Sequence, residues 1–105
     1  MSTNERKTLS TPIPKRLKQA RKAVDLSQKD LGVAAGMDEL SASARMNQYE
    51  VGKRTPDYST LKRIAKVLGY PPAYFYTEDD LMAELISCIS KLSREEKQAL
   101  LLKLS

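Results

Sequence analysis

The sequence predicts an all-α protein: a five-helix unit followed by two further helices. Three observations carry that prediction. Apolar residues recur at spacings of three and four through most of the chain, which is the period of a buried helical face. Ser or Asp precedes several of these runs and Gly follows them, as caps do. No segment alternates apolar and polar residues as a half-buried strand would, and no internal repeat is present.

Each element follows in order. Residues 1–12 read as a flexible arm, rich in Ser, Thr and Asn and closed by Pro12. Ile13, Leu17, Ala20 and Val24 then mark one face of a first helix, with Pro14 in its first turn, where a missing N–H is tolerated. Lys15, Arg16, Lys18, Arg21 and Lys22 make that helix basic. Ser27 with Asp30 has the spacing of a capping box opening a short second helix. Leu31, Ala34 and Ala35 point inward and Gly36 suits a left-handed end. The small residues Gly32, Ala34 and Ala35 permit another helix to approach closely.

A third helix runs from about Ser41 or Ala42 to Val51 and is ended by Gly52. Ala42, Met46 and Tyr49 form its inward stripe, leaving Ser43, Ala44, Arg45, Asn47 and Gln48 outward. The loop Lys53-Arg54-Thr55-Pro56 is basic and stiffened by proline. Asp57 caps a fourth helix over Tyr58–Leu68, with Leu61, Ile64, Ala65 and Leu68 inward and Gly69 at its end. Pro71-Pro72 precedes a short fifth helix, Ala73–Tyr76, whose aromatic residues close the core; Tyr58 joins the core as well. Thr77 with Asp80 opens a sixth helix carrying Leu81, Leu85, Ile89 and Leu92, and Ser93 with Glu96 opens a seventh ending in Leu100–Leu104.

Composition narrows the function. The 105 residues include no His and a single Cys. That excludes Ser-His-Asp and Cys-His nucleophiles, imidazole metal ligands, a Cys₄ zinc site and an internal disulfide. An enzyme is disfavoured, and no cofactor, metal or small-molecule ligand is expected. Cys88, on an apolar helix, reads as a small buried hydrophobe. The polar N-terminus has no apolar leader and no window reaches a membrane span, so a cytoplasmic protein is expected. The net charge of +5 suits a polyanionic partner. It is also unevenly placed: residues 1–76 hold 14 Lys+Arg against 7 Asp+Glu, and residues 77–105 hold 4 against 6.

The order of a basic helix, a Ser-Gln helix start, a Gly turn, a polar-faced third helix and a Gly-Lys-Arg-x-Pro loop resembles the Cro/repressor-type (xenobiotic-response-element) helix-turn-helix family. The matching residues are Leu17, Arg21, Leu26-Ser27-Gln28, Leu31, Ala35-Gly36, Tyr49-Glu50, Gly52-Lys53-Arg54, Pro56, Leu61, Ile64-Ala65 and Leu68-Gly69. The resemblance covers about residues 13–76. One departure is clear. Between Gly36 and Gly52 the chain has fifteen residues, whereas members of the family have about eleven; the excess is roughly one helical turn. It falls in Met37-Asp38-Glu39-Leu40, lengthening the turn, or else extends the third helix at its N-terminus.

The resemblance implies a sequence-specific transcriptional regulator, a dimeric repressor of bacterial or prophage origin bound to a palindromic operator in double-stranded DNA. The third helix would lie in the major groove, with Ser43, Ala44, Arg45, Asn47 and Gln48 facing bases. Arg45 suits guanine, and Asn47 or Gln48 suits adenine. Gln28, Lys29, Lys53, Arg54 and Arg16 would contact phosphates. Arg21 and Glu50 match an internal ion pair. Residues 77–105 would form the homodimer through Leu81, Leu85, Ile89, Leu92, Leu101 and Leu104. The alternative on the same fold is an antitoxin or adaptor whose C-terminal helices hold a partner protein.

Overall fold

A computed structural model describes residues 11–105, and its helices are α1 (Ile13–Ala23), α2 (Gln28–Ala34), α3 (Ala42–Glu50), α4 (Tyr58–Leu68), α5 (Pro72–Phe75), α6 (Asp80–Ser90) and α7 (Arg94–Leu104). No strand occurs among the described residues. The expected arm over 1–12 lies outside them except for its last two positions.

The caps explain where most helices start. Ser27 Oγ accepts from the Asp30 N–H at 2.9 Å, and Asp57 Oδ1 from the Thr60 N–H at 2.8 Å. Ser93 and Glu96 form a reciprocal capping box. For α6 the expected cap is replaced. Asp79 accepts from the Met82 N–H at 2.8 Å, while the Thr77 hydroxyl donates back to the Ala73 carbonyl. The two acidic side chains at 79 and 80 divide the work: Asp79 caps the helix and Asp80 forms ion pairs with α1.

The core is built mainly by α1–α5, joined by Met37 of the turn and Ala83 of α6. Ile13, Leu17 and Ala20 of α1 meet Leu31, Met46, Leu61, Ile64 and Phe75 at its centre. Val24 and Ala34, expected inward, are exposed, because each stands where its helix is ending and the chain turns away. Tyr58 and Tyr76 are also exposed, and only Tyr74 and Phe75 of the aromatic cluster close the core. The crossing of α2 over α3 is set by Gly32. A Cβ placed there would lie 2.8 Å from the Ala42 Cβ, closer than real side chains tolerate.

The surplus residues lie in the turn, not in the helix. Gly36 turns the chain with φ of 96°, the Met37 N–H donates to the Gly32 carbonyl at 2.9 Å, and Met37 is buried. The Ser41 N–H then donates to the Asp38 carbonyl at 3.1 Å, and α3 starts at Ala42. The recognition-helix candidate therefore keeps its length while the connection grows.

The C-terminal helices pack differently from the pattern that located them. α6 docks through Ala83 and Ser87, with Ile86 packed against the core. Small side chains let its backbone come close, so the larger Leu81, Leu85 and Ile89 face outward. Cys88 is exposed as well, which corrects the expectation of a buried thiol. α7 buries no residue.

Candidate nucleic-acid interface

α3 presents its polar face because the opposite one is used by the core. With roughly 100° per residue, burial of Ala42, Met46, Tyr49 and Glu50 places Ala44, Asn47, Gln48 and Val51 outermost. Ser43 and Arg45 stand on the two flanks. Ser43, Ala44, Arg45 and Asn47 are exposed, and Gln48 is half-buried.

A hydrogen-bonded frame holds this face in place. Arg21 Nε donates to Glu50 Oε2 at 2.6 Å, and a second guanidinium nitrogen to Glu50 Oε1 at 3.0 Å. A third donates to the Leu26 carbonyl at 2.8 Å, tying α1 to the start of the α2 approach. The Glu50 bond raises the Arg21 pKa further above its already high value, so the charge is permanent. Gln28 extends the frame outward: its side-chain nitrogen reaches Glu50 Oε1 and Asn47 Oδ1, each at 3.2 Å. Asn47 is thus oriented from the far side of the helix-turn-helix, with its own NH₂ directed away from that bond.

On the other flank, Arg45 donates to the Tyr49 hydroxyl at 3.0 Å. Its neighbour Asp57 is held below the usual carboxylate range, chiefly by the Thr60 N–H and to a lesser degree by the charges of Arg63 and Arg45. Lys53 and Arg54 are exposed, and their backbone N–H groups close on the Gln48 carbonyl at 2.9 and 3.2 Å. The loop therefore folds against the C-terminus of α3 and leaves two cations beside it. Lys29 is half-exposed and lies 3.5 Å from Glu39.

Arg16 does not belong to this surface. Only 1% of it is exposed. Its guanidinium donates to the carbonyls of Thr77 and Glu78 at 2.9 and 2.8 Å and to Gln19 Oε1 at 3.0 Å, and pairs with Asp80 at 2.9 Å. It also lies 5.6 Å from the Tyr74 ring centre. Three of these contacts, to Thr77, Glu78 and Asp80, join α1 to the segment that leads into α6. The assignment to phosphate is corrected: helical spacing put Arg16 next to Leu17, and its surroundings come from residues some sixty positions away.

Three residues escaped the sequence reading. Arg63 on α4 donates from Nε to the Ala35 carbonyl at 3.1 Å, anchoring the end of α2. Val51 continues the outward row of α3, and Leu40 protrudes from the turn before it. The sequence signal for the last of these is an apolar residue directly before the Ser41 start of α3. Nothing in the sequence distinguishes Arg63 from the other cations of α4.

Among the described residues no group of three or more His, Cys, Asp or Glu side chains is placed to hold a metal, and no helix is long and apolar enough to cross a membrane.

Known proteins share this arrangement. A helix-turn-helix family profile matches residues 17–75, from the middle of α1 to the end of α5. The crystal structure of transcriptional regulator BswR is similar at 47% sequence identity and a TM-score of 0.81, over 88% of this chain and 91% of that one. No curated protein matches the sequence. The profile covers more than half of the chain and includes both helices of the motif, the turn between them and the Arg21–Glu50 frame, so the chain belongs to the Cro/repressor-type (xenobiotic-response-element) helix-turn-helix family.

Proposed function

We propose that the protein is a DNA-binding transcriptional regulator that acts as a dimeric repressor on a palindromic operator. The observation that carries this reading is the outward face of α3: polar, largely exposed, and held by the Arg21–Glu50–Gln28–Asn47 frame. A helix inserted in the major groove gains specificity when its side chains are oriented before binding, since less freedom is then lost. In this reading Arg45 pairs with guanine O6 and N7, Asn47 and Gln48 with adenine, Ala44 packs on an apolar base edge, and Ser43 donates or accepts on the flank. Lys53, Arg54 and Lys29 contact phosphates. Gln28 joins them by exchanging one of its two internal bonds for a phosphate oxygen. The excess positive charge of residues 1–76 supplies the attraction.

Two copies would associate through the apolar outer faces of α6 and α7, while residues 13–76 carry the DNA-binding unit and residues 77–105 the assembly unit. Leu81 is 68% exposed and Leu101 65%, and Leu85, Ile89 and Leu104 share the exposure. Two-fold pairing would set recognition helices about 34 Å apart on successive turns of one duplex face. The same apolar faces favour a second reading, an antitoxin or adaptor holding a different protein.

Titrating labelled duplexes tests the first reading. The protein should bind a duplex selected from a random library at least about a thousandfold more tightly than random DNA, with affinity falling steeply as salt rises. Arg45→Ala should lose about 1–3 kcal/mol on the selected duplex and relax the preference at one base pair. Lys53→Ala should weaken all duplexes alike. Equal affinity for every duplex would reject a sequence-specific regulator.

A further inference from the structure

The turn between α2 and α3 ends in a side chain that the fold leaves unused. Leu40 is 97% exposed, the most exposed of the large apolar residues described. It stands one residue before Ser41, the position preceding the first turn of α3. An apolar residue there ordinarily folds back onto the helix four residues into it, and that position is occupied here by the exposed Arg45.

The turn is tied to the first turn of α2, which also reaches the outward face of α3. Lys29 reaches Glu39 at 3.5 Å, and the residue beside Lys29, Gln28, bonds Asn47 on the outward face of α3. Asp38 Oδ2 accepts from the Leu40 N–H at 3.1 Å, so the tip has a defined backbone. Each carboxylate of the turn makes a contact within the protein while staying exposed, and Leu40 is the exposed apolar side chain beside them. Within α3, Ala44, Asn47 and Val51 form one outward row, and Leu40 stands in the turn just before the helix.

We infer that Leu40 is a specificity-determining residue, packing on the 5-methyl group of a thymine at the edge of the site read by α3. This rests on the DNA-binding reading above. The chemistry selects the target: among the base edges of the major groove, the thymine methyl is the apolar one. The lengthened turn is what carries a side chain ahead of the helix N-terminus, so a base pair outside the reach of Ser43 and Ala44 becomes readable.

The experiment uses the full chain and duplexes selected by the wild-type protein from a random library. In parallel duplexes, each thymidine of a half-site is replaced in turn by deoxyuridine, which removes only the methyl group. Wild-type protein should lose about fourfold in affinity at one thymine near the end of the half-site, the value of roughly one buried methyl. Leu40→Ala should lose a similar factor on the thymine duplex and be indifferent to deoxyuridine there, with an unchanged melting temperature. If Leu40→Ala keeps the wild-type response to every deoxyuridine, the inference fails while the functional reading stands. If Leu40→Ala instead alters self-association and leaves base preference intact, Leu40 is a protein contact and the inference fails. If the wild-type protein selects no sequence at all, the functional reading fails and the inference with it.

Discussion

Replacing Arg21 by methionine keeps the length of the side chain and removes the partner of Glu50, whose side chain is only 3% exposed. A carboxylate so placed is poorly solvated, and breaking such a pair is far more damaging than replacing both members. Gln28 would still donate to Glu50, so a loss of about 3 kcal/mol is expected, at the low end for a buried pair. For a domain of this size that lowers the melting temperature on the order of 10 °C. Thermal unfolding followed by circular dichroism measures it. An unchanged melting temperature with DNA binding abolished would make Arg21 a DNA ligand instead. Arg16→Met separates two roles in the same way. Loss of the bonds to Thr77 and Glu78 should speed hydrogen exchange in the first turns of α6, and the slope of log affinity against log salt should stay as in wild type. A slope smaller by about one would return Arg16 to the phosphate contacts.

At the scale of the helices, three starts and junctions rest on carboxylates whose pKa is lowered in the folded chain. The Thr60 N–H lowers Asp57 at the start of α4, Lys15 and then Arg16 lower Asp80 beside α1, and the Ser93 N–H lowers Glu96 in the first turn of α7. Each group has a folded pKa below its unfolded value, so its stabilisation is complete above the ordinary values of 3.8 for Asp and 4.5 for Glu. That stabilisation disappears as the pH falls through the folded values. With no histidine in the chain, the side chain that ordinarily titrates between about pH 5 and 8 is missing. Denaturant midpoints should therefore be flat from about pH 5 to 8 and fall steadily below about pH 4, and Asp57→Ala should make that acid fall shallower. A midpoint that drops between pH 7 and 5 would contradict this assignment.

For the whole molecule the decisive question is what covers α6 and α7. Leu81, Leu85 and Ile89 of α6 and Leu101, Leu102 and Leu104 of α7 are all exposed. Sedimentation at micromolar concentration should find a dimer, and Leu85→Glu should shift it to monomer. It should also weaken operator binding more than binding to a half-site. The α1–α5 unit would keep its melting behaviour, because Leu85 lies outside the core cluster. A wild-type monomer, even when bound to DNA, would reject this arrangement.

Much of this protein was legible in order along the chain. Helix period, the Ser27, Asp57 and Ser93 caps, and the glycines at 36, 52 and 69 are local signals, since a helix and its ends depend on residues within about four positions. The outward set on α3 followed from its inward stripe by the same periodicity. Local signals failed where a side chain's environment comes from distant sequence. Arg16 looks like its basic neighbours until the carbonyls of Thr77 and Glu78 arrive beside it. On α6, periodicity marked Leu81, Leu85 and Ile89, which are exposed, but gave no sign that Ala83 and Ser87 are the residues that dock on the core. Cys88 is exposed as well. The helices, their ends and the family pattern they form can be read from the chain alone, because they rest on short-range geometry. That the surplus residues enlarge the turn and that Leu40 projects from it emerge from the folded chain. So does the joining of the two parts of the chain by Arg16, because burial and hydrogen bonding are properties of neighbours brought together by folding.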